Sequence, residues 1–329
     1  MIKIADILKF FKIDPEHKFN GVIRPKSLND YLKTLNLKET KINLLELNNI
    51  CKKLENEGYL KFTGTQGRGV LMNETYYCFS YNEELANYGS YEYLVYGFPL
   101  IRSDFINSVR PIEIIYLDDT KPKQYDIGTC FMISETGIIT SKHCLPKNSI
   151  IKIENDKGEI IKAVKIIIHN DPNIDLALII IDNSFFKNYK FFKLGNANVL
   201  EDVLTMGYPP IPGFDGILVT ETANITTEIK STLGKIVARE FSYLDKQNYF
   251  LINARVKGGN SGGPLINKKG EVVGVITQLP MESNELDSLG YGVVTPSMTL
   301  LGFMQKIGDN HDDIKFLKFE NIEEGIRLL

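Results

Sequence analysis

From about Pro111 to Pro296 the chain is a succession of short β-branched runs, each cut off within a few residues by Gly, Asn, Asp or Pro. Runs of this kind read as strands, because branched side chains suit a pleated surface and the punctuating residues supply turns. A strand satisfies its backbone only against another strand, so many short strands at close spacing predict an all-β barrel or sandwich. The longest apolar runs, such as Leu176 to Ile181, fall far below the ~18 residues of a membrane helix. With 43% hydrophobic and 24% charged residues in a chain of 329, disordered and fibrous classes are excluded as well.

Ahead of this region the pattern is different. In KINLLELNNICKKLENEGYL the apolar residues Leu44, Leu47, Ile50, Cys51 and Leu54 recur at helical spacing, and Gly58 supplies a stop. The following LKFTGTQGRGVLMNETYYCFSY holds two β-rich runs around turn-forming glycines and reads as a hairpin. Helix, helix and hairpin together resemble a winged helix. Lys52, Lys53, Lys61 and Arg68 are its candidate nucleic-acid contacts. Residues 1–90 hold 13 Lys and Arg against 11 Asp and Glu, however, a weak field for gripping phosphates. A regulatory module that docks a protein or a ligand is therefore the preferred expectation, with nucleic acid as the lesser one.

The stretch Gly258, Gly259, Asn260, Ser261, Gly262, Gly263, Pro264 carries the chemistry. A serine hydroxyl attacks at neutral pH only if a base takes its proton, and the tetrahedral intermediate needs backbone N–H donors. Glycines on both sides let the backbone turn those donors inward, with the Gly259 and Ser261 N–H groups as the natural pair. Of the four histidines, His143 closes a strand, turn, strand pattern and is the expected base. His17 lies in the N-terminal module, His311 in a polar tail, and His169 reads as a surface loop residue. The imidazole must be held in one tautomer by a shielded carboxylate. Asp171 and Asp182 look like turn residues, whereas Asp175 leads into an apolar run and is the expected orienter. Cys51, Cys78, Cys130 and Cys144 are too scattered for a zinc site or a disulfide scaffold. No metal and no cofactor is expected.

In order, GTCFMISETGIITSKHC, NDPNIDLALIIID, VLTMGYPP, KGGNSGGPLINKKGEVVGVIT and LGYGVVTPS resemble trypsin-like serine proteases, most closely the HtrA-type protease domain. The likeness runs from about residue 110 to 305. It implies a mainly β, chymotrypsin-like double β-barrel, with His143, Asp175 and Ser261 as triad and the Gly259–Asn260–Ser261 backbone as oxyanion hole. By the same resemblance the substrate is a polypeptide added as a strand along Thr277, Gln278 and Leu279. The specificity pocket lies between Arg255, Val256, Gly258 and the strand containing Gly292. Where trypsins carry an aspartate that selects basic side chains, this chain has Arg255, and the resemblance leaves either an acidic or a small aliphatic preference. The position that pairs in a disulfide with the cysteine after the histidine in animal trypsins is Gly128 here. Asn260 replaces the aspartate of the usual activation switch.

The expected plan is a helical, winged-helix-like regulatory domain over 1–95, a linker over 96–110, the protease domain over 111–305 and a tail over 306–329. Charged residues interrupt the N-terminal apolar stretch, so it does not read as a secretory signal, and a cytoplasmic location without membrane contact is expected. A serine endopeptidase governed by its N-terminal domain is the leading reading. A catalytically inactive binding protein on the same scaffold, or an esterase, is the alternative.

Overall fold

The computed structural model describes residues 2–13, 18–19, 22–35, 43–66, 73–117, 124–182, 185–186, 189–211, 216–219, 223–278, 290–309 and 311–329. Contacts divide the chain into two units, Met1–Leu100 and Ile101–Leu329.

In the first unit, α1 (Ile4–Phe11) precedes the short strands β1 (Lys18–Phe19), β2 (Val22–Ile23) and β3 (Lys26–Ser27). Then come α2 (Leu28–Thr34), α3 (Leu44–Asn56), β4 (Leu60–Gln66) and β5 (Asn73–Cys78), followed by α4 (Glu83–Tyr88) and α5 (Ser90–Tyr96). Ser27 and Asp30 cap α2 reciprocally, and the Asn43 side chain accepts the Glu46 N–H at the start of α3. The periodic residues Leu47, Ile50, Cys51 and Leu54 are buried, as the spacing predicts, and Gly58 at φ +80° ends the helix. β5 pairs with both β3 and β4, so the hairpin is joined by the strand that leads into α2. Tyr76 and Tyr91 lie in this unit's own apolar core.

Residues 96–110, expected as a linker, instead hold α6 (Phe98–Phe105), a single 3₁₀ turn at Ile106–Ser108 and the start of β6 (Val109–Tyr116). The second unit continues with β7 (Tyr125–Met132), β8 (Gly137–Thr140), β9 (Ser149–Lys152), β10 (Ala163–His169) and β11 (Ala177–Ile181). These six strands form one antiparallel sheet in the order β10-β11-β8-β7-β6-β9 around a core that includes Ile112, Met132, Ile138, Ile151 and Ile179. Next come β12 (Asp202–Gly207), the hairpin β13 (Gly216–Val219) and β14 (Ala223–Thr226), and then β15 (Lys230–Phe241), β16 (Asn248–Ile252), β17 (Pro264–Ile266), β18 (Val272–Thr277) and β19 (Gly292–Pro296). Of these, β12-β15-β16-β19-β18-β17 close into a barrel filled by Val203, Ile236, Phe250, Leu265, Val273 and Val294.

After α7 (Ser297–Gly308) the structure departs from expectation. The segment read as a tail supplies β20 (Ile314–Phe316), β21 (Phe319–Ile322) and β22 (Gly325–Leu328). β20 pairs with β10 and β22 with β9, so the first of the two expected barrels is a half-barrel sheet extended to nine strands. The physical reason is that β9 and β10 do not form a ladder with each other, so their open edges need partners. The Asn321 side chain, from β21, also donates to the Ala163 carbonyl and accepts the Ala163 N–H at 2.8 and 2.9 Å, which links the two ends of the sheet. No helix among the described residues is long and apolar enough to cross a membrane.

Candidate active site

β8 and β11 are paired with Ala177 opposite Thr140. The chain leaving β8 and the chain entering β11 therefore emerge side by side, and these two strand ends carry His143 and Asp175. His143 sits in a single 3₁₀ turn (Lys142–Cys144). Its backbone N–H donates to Asp175 Oδ1 at 2.9 Å, and its ring Nδ1 lies 2.7 Å from Asp175 Oδ2. This two-point grip fixes both the position of the residue and the plane of the ring, and it leaves Nε2 as the nitrogen able to accept a proton. The Asp175 side chain is 17% exposed and that of His143 37%, so the carboxylate is shielded while the imidazole opens to solvent.

Thr277, the last residue of β18, donates its hydroxyl to Asp175 Oδ2 at 2.5 Å. The sequence reading placed Thr277 only along the substrate. Its tie to the carboxylate went unseen because nothing local marks a strand-end threonine as facing a residue a hundred positions away. Burial works against charge on the imidazole, but the Asp175 hydrogen bond and charge, reinforced by Cys144, outweigh it and raise the His143 pKa above its ordinary value. Burial also opposes ionisation of Asp175, yet the bonds from His143 and Thr277 lower its pKa.

Ser261 is 6% exposed and lies in the turn ahead of β17. Its carbonyl accepts the Thr129 N–H at 2.8 Å and the Cys144 thiol at 3.5 Å, and the Gly262 N–H donates to the Ile276 carbonyl at 2.8 Å. Cys144 neighbours His143 and Ile276 neighbours Thr277, so the serine turn is tied to the segment that carries His143 and to the strand whose threonine bonds Asp175. Gly262 has φ +83°, and a Cβ there would fall 2.2 Å from both the Thr129 carbonyl and the Thr140 hydroxyl oxygen. Gly259 has φ +93°, and a Cβ there would fall 2.6 Å from the Tyr208 carbonyl. Neither position accepts another residue, which is the steric basis of the glycine-rich motif.

The Thr129 hydroxyl donates to the Gly259 carbonyl at 2.6 Å and turns that oxygen inward. Among the described residues no hydrogen bond uses the Gly259 or Ser261 N–H. The Asn260 N–H, by contrast, donates to the Lys257 carbonyl at 3.0 Å, so Asn260 shapes the turn and is not a free donor.

The other expected residues divide. Gln278 lines a cleft of about 340 Å³ with His143, Asp175, Lys142, Pro172, Asn173, Asp245 and Tyr249. Val256 packs against Gly292, where a Cβ would fall 2.3 Å from its methyl carbon. Arg255 and Gly258 are exposed. Leu279 and His17 lie outside the described residues. His169 is 5% exposed, not a surface residue as its loop position suggested. All four cysteines are buried free thiols, and a Cβ at Gly128 would fall 2.7 Å from Cys144 Sγ, so that position does face the cysteine it cannot pair with. Among the described residues no group of His, Cys, Asp and Glu side chains is arranged to hold a metal.

Residues 128–275 match the family described as "Trypsin-like peptidase domain". The chain is 29% identical to "Protease Do-like 2, chloroplastic" of Arabidopsis thaliana, over 53% of this chain and 27% of that protein. It is also 29% identical to "Periplasmic serine endoprotease DegP" of Salmonella typhimurium, over 49% of this chain and 30% of the relative. The chain thus spans about a third or less of the curated relatives it matches. Among solved structures, "HtrA-type protease AlgW with tripeptide" aligns with a TM-score of 0.47 and 22% identity, covering 64% of this chain and 63% of that one.

Proposed function

We propose that this chain is a serine endopeptidase working through His143, Asp175 and Ser261, on the premise that residues 128–275 match the trypsin-like peptidase family and are similar to a relative named as a serine endoprotease. In this reading His143 Nε2 takes the proton of the Ser261 hydroxyl as its oxygen attacks the scissile carbonyl, and later returns it to the leaving amine. Asp175 holds the ring in the required tautomer and stabilises the imidazolium that forms. The Gly259 and Ser261 N–H groups receive the oxyanion.

The observation that carries the reading is the two-point bond between His143 and Asp175, at 2.9 and 2.7 Å, with the Ser261 carbonyl bonded by the thiol of Cys144, the residue next to His143. The test is covalent labelling by a fluorophosphonate, which reacts only with an activated serine. The native chain is expected to be labelled and Ser261→Ala not to be; equal labelling of the two removes the assignment.

The substrate in this proposal is a polypeptide. The Met1–Leu100 unit is assigned as a winged-helix-like regulatory module, a reading supported by its helix, helix, hairpin order and the third strand alongside. The charge balance of the segment favours a protein or ligand as its partner over nucleic acid. A reducing, cytoplasmic setting is proposed on the strength of the four free thiols. Relatives named as periplasmic and chloroplastic mark the alternative, and cell fractionation decides between them.

A further inference from the structure

The loop 170–174 carries the chain from β10 to Asp175, and it is tied down from three sides. Its own turn is closed by the Asp171 carboxylate, which accepts the Asn173 N–H at 2.9 Å, and by the Asp171 carbonyl, which accepts the Ile174 N–H at 3.2 Å. Lys142, the residue before His143, donates its ammonium to the Pro172 carbonyl at 2.9 Å and to that of Asp171 at 3.4 Å. The third side is built by residues outside the segment that matches the peptidase family. The Asn170 N–H donates to the Asp313 carbonyl at 2.7 Å, and the Asn170 side chain to the Asp312 carbonyl at 2.6 Å.

His169 sits where these ties meet. It ends β10 opposite Ile314 of β20, its ring packs near Phe303 of α7, and its Nδ1 accepts the Asp171 N–H at 3.0 Å. Its Nε2 lies 3.1 Å from the Lys306 ammonium, which Asp313 binds at 2.6 Å, while His311 faces the same Asp313 carboxylate at 3.4 Å. An imidazolium has no ring nitrogen able to accept, so the bond from the Asp171 N–H requires neutral His169 with its proton on Nε2. Burial and the Lys306 charge act in that direction, against the opposing pull of Asp313 and Asp171 and with the more distant help of Lys142.

We propose that His169 is a positioning residue for the catalytic pair: it accepts the Asp171 N–H and, with the 311–316 segment, locks the loop that aims Asp175 at His143. The inference rests on the peptidase reading above. A loop that is free to drift loosens the 2.7 Å bond between Asp175 and His143, and an error of about 1 Å in such a constellation costs on the order of a hundredfold in rate. A neutral acceptor two residues before the donating N–H is also what an asparagine supplies in an Asx turn.

The experiment uses the full chain as wild type, His169→Leu, His169→Asn and Asn170→Ala. It measures fluorophosphonate acylation of Ser261 against pH and titrates the His143 ring by NMR. His169→Leu is expected to acylate roughly 10- to 100-fold more slowly. Its His143 pKa should fall, moving the acid limb of the profile to lower pH, a change that loss of stability alone does not produce. His169→Asn should recover most of the rate. Asn170→Ala, at an exposed position where only the tie to Asp312 is lost, should give a smaller loss in the same direction and decides the matter if Leu at 169 does not fold. A folded His169→Leu or Asn170→Ala with wild-type rate and an unmoved His143 titration overturns the inference. Failure of the wild-type chain to label at Ser261 overturns the peptidase reading instead, and the NMR titration then still reports whether His169 governs the bond to Asp175.

Discussion

Asp175 decides the protonation of His143. In the proposed triad His143 is the base and acts in its neutral form, and its pKa is raised by the carboxylate against the pull of burial. Activity should therefore climb with pH through a midpoint above the ordinary histidine value of about 6.5. Asp175→Asn removes the carboxylate's raising influence and leaves burial opposed only by Cys144, so the midpoint should move to lower pH while turnover falls by about 10⁴ because the tautomer is no longer held. A pH profile of kcat/KM for the two proteins checks both effects, and an unmoved midpoint contradicts the assignment. At this scale the sequence reading was specific where chemistry restricts the choice. Only Gly fits at 259 and 262, and only Asp175 joins a polar loop to a buried strand. It misses the burial of His169 and the bond from Thr277 to Asp175, because the partners, Lys306 and Asp175, lie far along the chain and no local pattern announces them.

Between strands, register brings residues distant in sequence face to face. β16 and β19 pair with Ile252 opposite Gly292, and Val256 reaches the space that a side chain at 292 would otherwise fill. If the proposed specificity pocket lies here, Val256 gives it an apolar floor, while Arg255 is exposed. Cleavage after small aliphatic residues is expected, and Val256→Gly should extend acceptance to larger aliphatic side chains. A peptide-library profile tests this. Dominant cleavage after Lys, Arg, Asp or Glu contradicts it. The strands of this region were legible because β-branched runs and turn residues alternate so regularly. The C-terminal strands were not, since IKF, FENI and GIRL are short, charge-bearing pieces whose pairing is decided by the open edges of β9 and β10.

Across the whole molecule, contacts separate Met1–Leu100 from Ile101–Leu329. Each unit has an apolar core of its own, so the first is dispensable for folding of the second in principle. If the first unit is a regulator, a chain of residues 101–329 should fold and label at Ser261 yet turn over polypeptide at a rate several-fold different from the full chain. Identical rates contradict regulation. The nine-stranded sheet imposes an order on this chain's manufacture as well. Synthesis runs from the N-terminus, and β20 to β22 follow every other strand of that sheet. His143 and Asp175 are therefore translated well before the strands that cover the edges of β9 and β10 exist. While it is still being made, the chain holds the two residues proposed as base and orienter on a scaffold with both edges open; the blade is set in its handle last.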